Sequence, residues 1–123
     1  MNQVQENLFL KSLRDKIAEG DTDAILPIWE ALWENGYHTF SRNLMARVCE
    51  NGFTDLLEFM IEHNYFFDGL AIYISAFEGN IHFLELLFAC QEFQNVNRQH
   101  LRTQLVEKEL DQVIKYLENI EFF

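Results

Sequence analysis

The chain has 123 residues, 49% of them apolar, and its 20 acidic against 9 basic side chains give a formal net charge of -11. That is one domain's length with ample material for a core. Its acidity argues against direct recognition of a phosphate backbone or an anionic membrane surface, and neither is expected, since the one basic concentration, Arg98, His100 and Arg102, is too thin to reverse the repulsion.

In chain order, residues 1–7 (MNQVQEN) are polar and read as a disordered N-terminal tail ahead of a single domain over 8–123. The apolar patch LFLKSL that follows is broken by Lys11 and Arg14 and has no small-residue cleavage site, so it does not read as a secretory signal. No apolar run approaches the roughly 20 residues that cross a bilayer. The expected location is cytoplasmic.

KIAEGDTDAILPIWEALWENG then introduces a pattern that returns as VCENGFTDLLEFMIEHN, SAFEGNIHFLELLFACQ and QLVEKELDQVIKYLEN. Aligned on Gly20, Gly52, Gly79 and Glu109, the origins are 32, 27 and 30 residues apart. Three places before them stand Ile17, Cys49, Ala76 and Val106; five after, Ile25, Leu57, Leu84 and Ile114; eight after, Ile28, Met60, Leu87 and Leu117. Every member of these columns is small or apolar. In the third unit Phe83, Leu84, Leu87 and Phe88 lay an apolar stripe along one helix, away from Glu85 and Glu92. Glycine suits the origin because a helix that must stop and turn there enters the left-handed conformation, which Gly adopts at little cost. Each unit therefore predicts a helix, a tight turn and an antiparallel helix. Thr22 or Asp23, Thr54 or Asp55, and Asn80 are the expected caps of the second helices, with Asn97 capping the helix after the last connection. Pro27 fits only in a first turn.

These units resemble the ankyrin repeat family, whose unit of about 33 residues holds two short antiparallel helices. The resemblance covers residues 14 to 120 loosely and 44 to 93 best, with SAFEGNIHFLELLFACQEF and VCENGFTDLLEFMIEHNYF most like the family core. The family's opening T-P-L-H is absent; FSRNLMARV, LAIYISAF and HLRTQLVE occupy its place, and the 27-residue spacing leaves little room for a hairpin finger. The resemblance implies an all-α array of about four antiparallel helix pairs, ankyrin-like with reduced or missing β-fingers, and protein recognition as its work. Connections are expected at NGYHTFS (35–41), HNYFFDG (63–69) and QNVNRQ (94–99).

Residues that could carry chemistry are scattered. His38, His63, His82 and His100 are 18 to 25 residues apart, so no metal-binding pair at i, i+4 exists, and neither a metal nor a cofactor is expected. Cys49 and Cys90 lie in or beside apolar columns, where a small buried hydrophobe is the expected role, not a disulfide and not a thiolate, which needs a polar, accessible site. The numerous carboxylates read as solvated helix faces. No phosphate-cradling loop, nucleophile elbow or dinucleotide fingerprint is present. The protein is not expected to be an enzyme, and a cysteine-dependent activity stays as the alternative.

Twelve Phe exceed what a helical core of this size requires. One reading packs Trp29 inward, lays Trp33 over an end of the array and tucks the loop rings beneath it. The other makes Trp33, Tyr37, Tyr65 and Phe66 a partner-binding edge, because aromatic anchors carry much interface energy, with Glu34, Glu62 and Asp68 among its acidic rim. At the other end NIEFF leaves Phe122 and Phe123 either folded back over the last helix pair or covered by a second molecule. A homodimer through the final helix would use Leu117, Phe122 and Phe123. The expected function is a small acidic protein–protein interaction module that binds and regulates, above all inhibits, a partner with a basic surface. A structural subunit of a larger assembly is a further alternative.

Overall fold

A computed structural model of the protein describes residues 2–36 and 42–123. Eight helices and no strand lie among them: α1 (Gln3–Glu19), α2 (Thr22–Glu34), α3 (Arg42–Asn51), α4 (Thr54–Glu62), α5 (Gly69–Phe77), α6 (Ile81–Cys90), α7 (Arg98–Glu107) and α8 (Asp111–Asn119). The all-helical expectation holds.

All four repeat origins adopt the same turn. Gly20, Gly52 and Gly79 take φ of 72°, 68° and 70°, and Glu109 takes 57°. In each case the next N–H donates to the carbonyl five residues back: Asp21 to Lys16 at 3.1 Å, Phe53 to Val48 at 3.2 Å, Asn80 to Ser75 at 2.9 Å and Leu110 to Leu105 at 3.0 Å. This bond satisfies a carbonyl that the helix end would orphan. Glu109 does so with a side chain in a region that disfavours one by about 1–2 kcal/mol.

The apolar columns form the core wherever a helix faces a neighbour. Ile25, Leu57 and Leu84 are buried five places after the origin, and Met60, Leu87 and Leu117 eight after; Ile114 and Ile28 are half-buried. The upstream column departs from expectation in the last unit. Cys49 and Ala76 are buried, but Val106 is 57% exposed, because α7 turns the seam of Leu101 and Leu105 inward and leaves Val106 a further step round the helix.

Helix starts follow the expected chemistry in part. Asn80 caps α6 by accepting from the Phe83 N–H at 3.1 Å, and Asn97 caps α7 through the His100 N–H at 3.0 Å. For α2 the cap is Asp21, one residue before the expected pair, accepting from the Ala24 N–H at 3.3 Å. Neither Thr54 nor Asp55 caps α4: both lie inside it, and the cap position is Phe53, which makes no side-chain bond and is buried instead. Pro27 is the sixth residue of α2, so it sits in the second turn and not the first. The expected tail is also different. Residues 3–7 are the first turns of α1, because Asn2 and Gln5 close a capping box, with 2.9 Å from the Gln5 N–H to Asn2 Oδ1 and 3.2 Å from the Asn2 N–H to Gln5 Oε1.

The chain divides into two compact units, 1–63 and 64–123, each with four helices among the described residues. The boundary carries no linker composition; it falls inside the second connection, at Asn64, whose φ is 60°. In the first unit α1 packs on α2, α3 on α4 and α2 on α4. In the second, α5 packs on α6, α7 on α8 and α5 on α7.

Three ties stiffen the second unit. Gln91 bonds to Phe67, the Tyr73 hydroxyl accepts from the Asn97 N–H at 2.8 Å, and Arg98 Nη1 donates to the Phe122 carbonyl at 3.0 Å. Gly69 lets α5 start against the Asn95 backbone, for a Cβ there would stand 2.7 Å from the Asn95 carbonyl oxygen. After α8 the left-handed turn recurs at Glu121, φ 60°, and the Phe122 N–H reaches the Leu117 carbonyl at 2.9 Å. That turn folds the Phe122 ring back to 5.0 Å from Phe88, beneath the Arg98 guanidinium at 4.3 Å. Of the two readings of the C-terminal rings, Phe122 adopts the folded-back one.

Candidate functional site

The partner-binding residues read from the sequence fall in both units, and Tyr37 lies outside the described residues. In the first unit Trp33, near the end of α2, is half-buried and meets two residues of the α4 end. Its ring stands edge-on to Phe59 at 5.8 Å and to His63 at 4.4 Å. Phe59 and His63 lie 4.1 Å apart, and His63 Nδ1 is 2.8 Å from the Phe59 carbonyl oxygen, which places the ring proton on Nδ1. Trp33 is thus held in an aromatic stack on its own unit. Glu34 and Glu62 are exposed at the last residues of α2 and α4.

In the second unit the stretch Tyr65-Phe66-Phe67-Asp68 forms the approach to α5. Phe67 is the buried foot of this loop, and Tyr65 packs against it edge-on at 4.8 Å. Gln91, just after α6, closes on the Phe67 backbone twice: its Oε1 accepts from the Phe67 N–H at 2.9 Å, and its Nε2 donates to the Phe67 carbonyl at 2.7 Å. A single amide side chain thereby mimics one rung of a sheet ladder. On the other flank Asp68 caps α5 by accepting from the Leu70 N–H at 2.9 Å. Phe66, between these fixed points, is 77% exposed, the most open large apolar side chain among the described residues. Leaving a phenyl ring in water forgoes about 2 kcal/mol of burial.

The two residues of this arrangement that the sequence did not point to are Gln91 and Phe59. Gln91 gave no signal, being a polar residue after a helix, 24 positions from its partner. Phe59 had one: it stands four before His63, on the same helix face.

The C-terminal candidates are placed as follows. Leu117 is fully buried in its own unit, Phe122 is 7% exposed, and Phe123 is half-buried with the Arg102 guanidinium 5.6 Å from its ring centre. The exposed apolar residues at this end are Val106 and Ile120.

The thiols have little of a nucleophile's setting. Cys49 is buried, and Cys90, though on the surface, donates its Sγ proton to the Leu87 carbonyl at 3.2 Å while partial burial pushes its pKa up. Among the described residues no three His, Cys, Asp or Glu side chains gather as metal ligands, and no helix is long and apolar enough to cross a membrane. No protein-family model, curated protein or solved structure matches the chain.

Proposed function

We propose that this chain is a small acidic protein-interaction module that grips a partner protein through the Phe66 loop and inhibits it. The observation that carries this reading is Phe66 itself: an open aromatic ring on a backbone fixed at Phe67 by Gln91 and at Asp68 by its cap. An anchor ordered before binding loses little entropy on docking, and buried aromatic anchors supply most of an interface's energy.

Charge supports a basic partner. Glu34 and Glu62 sit where the C-terminal ends of α2 and α4 repel a carboxylate, and neither helix has a basic residue in its last turn. Each placement costs about 0.3–1 kcal/mol of folding stability. A basic surface docked there would offset that cost, and the net charge of -11 would steer it in.

The four similar helix-turn-helix junctions, with no strand among the described residues, support an ankyrin-like array of antiparallel pairs with reduced or missing β-fingers. Since the Phe66 loop is a rigid single anchor, occupation of a functional groove on the partner, and so inhibition, is the natural mode. Affinity capture with Phe66→Ala tests this. The variant keeps its fold and loses the partner; capture at wild-type strength would refute the assignment.

A further inference from the structure

A different surface occupies the first unit. α1 and α3 stand on either side of an open cleft of about 860 Å³. In the second unit the helices at the same places in their repeats, α5 and α7, pack directly on one another.

The α1 wall of the cleft offers Leu10 and Ile17, half-buried and seven residues apart on one face, beside Leu13 of α1, Trp29 of α2 and Leu44 of α3, which are already buried; Asn7, Asn43 and Asn51 add polar groups. The Leu10 and Ile17 pair spans about 10 Å at 1.5 Å per residue, the length of two helical turns. The charged groups on the lining are Arg14 from α1 and Arg47 and Glu50 from α3. Arg14 is exposed and enters no ion pair among the described residues. Arg47 contacts Glu50 at 2.9 Å, an exposed pair one helical turn apart that holds its partners weakly and exchanges readily. A chain of net charge -11 with 9 basic side chains thus lines this cleft with two guanidiniums, one on each wall, against the single carboxylate of Glu50.

We infer that this cleft docks an acidic amphipathic helix of a partner protein. Its apolar residues would lie on Leu10 and Ile17, and its carboxylates would meet Arg14 and Arg47 in paired, charge-assisted hydrogen bonds. A cleft of mixed lining between two helices whose counterparts in the second unit touch directly has the shape that a third helix fills. This surface rests on its own observations, and its occupant is opposite in charge to the partner expected at Glu34 and Glu62.

The test titrates the full chain with a capped, four-turn peptide of Leu and Glu, Leu falling at i, i+3, i+4 and i+7, and with the same peptide carrying Gln for every Glu. Amide shifts of the labelled protein report the site. The global charge of -11 by itself favours the neutral peptide. The Glu peptide binds about tenfold tighter, shifts residues 7–18 and 43–51, and loses that advantage in the Arg14→Ala, Arg47→Ala variant. Both arginines are exposed at the cleft, and unchanged thermal unfolding of the variant keeps the comparison valid. Equal or tighter binding of the Gln peptide, shifts confined to other helices, or no binding of either peptide would overturn it. So would sedimentation showing a dimer that Arg14→Ala dissociates, which would give the cleft to a second copy.

Discussion

Gln91 holds Phe67 by both of its backbone polar groups, across 24 residues of sequence, at 2.9 and 2.7 Å. Removing that amide frees the loop on which Phe66 stands. Gln91→Ala should lose about 1–3 kcal/mol in urea unfolding, the worth of two part-buried hydrogen bonds. It should also weaken partner capture, by way of the loop. Gln91→Glu keeps an acceptor for the Phe67 N–H but has no N–H to give back, and falls between the two. A fully stable Gln91→Ala protein would mean that the clamp contributes nothing.

Glu34 and Glu62 separate stability from binding. Replacing both with Lys puts cations at the C-terminal ends of α2 and α4, where the helix dipole favours them, so thermal unfolding should move upward by the equivalent of about 1 kcal/mol. If the partner's surface is basic, the same change weakens its capture, and the loss grows as salt is lowered. Capture that strengthens instead would assign the partner the opposite charge.

Glu109 occupies the position that Gly20, Gly52 and Gly79 hold in the other repeats, with φ of 57°. Glu109→Gly relieves a left-handed side chain and should stabilise the second unit by about 1 kcal/mol after the entropy of the freer unfolded chain is deducted. The reverse exchange, Gly79→Ala, finds open space, its nearest neighbour being Leu110 Cδ2 at 3.8 Å, but a φ of 70°. It should cost about 1–2 kcal/mol from conformation alone. Chemical denaturation of the pair measures both.

Alkaline pH should loosen the second unit. Burial raises the pKa of Cys90, and burial followed by the charge of Glu85 raises that of Tyr116. Both groups keep their protons longer in the folded chain than in the unfolded one. Their contribution to stability is therefore complete below the ordinary thiol and phenol values, about 8.5 and 10, and is lost as pH climbs through the raised ones. Unfolding midpoints that decline above this range, with the earlier part of the decline absent in Cys90→Ser, would match; a rise would contradict the direction of both shifts.

What the sequence made legible was local. Gly20, Gly52 and Gly79 announced the turns because one backbone conformation demands one residue type, and Glu109 was found only because the surrounding columns carried the register past it. Asn80 and Asn97 could be read as caps because a short side-chain oxygen reaches the free N–H groups of the helix that follows. Phe53 and Leu110 could not: each precedes a helix without a side-chain cap bond, and Phe53 goes into the core. The aromatic candidates were recognisable as surplus, but their arrangement depends on pairs far apart in the chain. Nothing in composition ties Trp33 to Phe59 or Gln91 to Phe67, so the sequence could not distinguish the stacked Trp33 from the open Phe66.

The central claim, that Phe66 is the anchor of a protein interface, is tested most directly by placing a benzophenone-bearing phenylalanine at position 66 and irradiating the tagged chain in its native cells. The account predicts one dominant covalent product, competed away by excess unlabelled wild-type protein and absent when the same probe replaces Val106, another exposed apolar residue. A partner that still co-purifies with the chain but gives no crosslink from position 66 would contradict it.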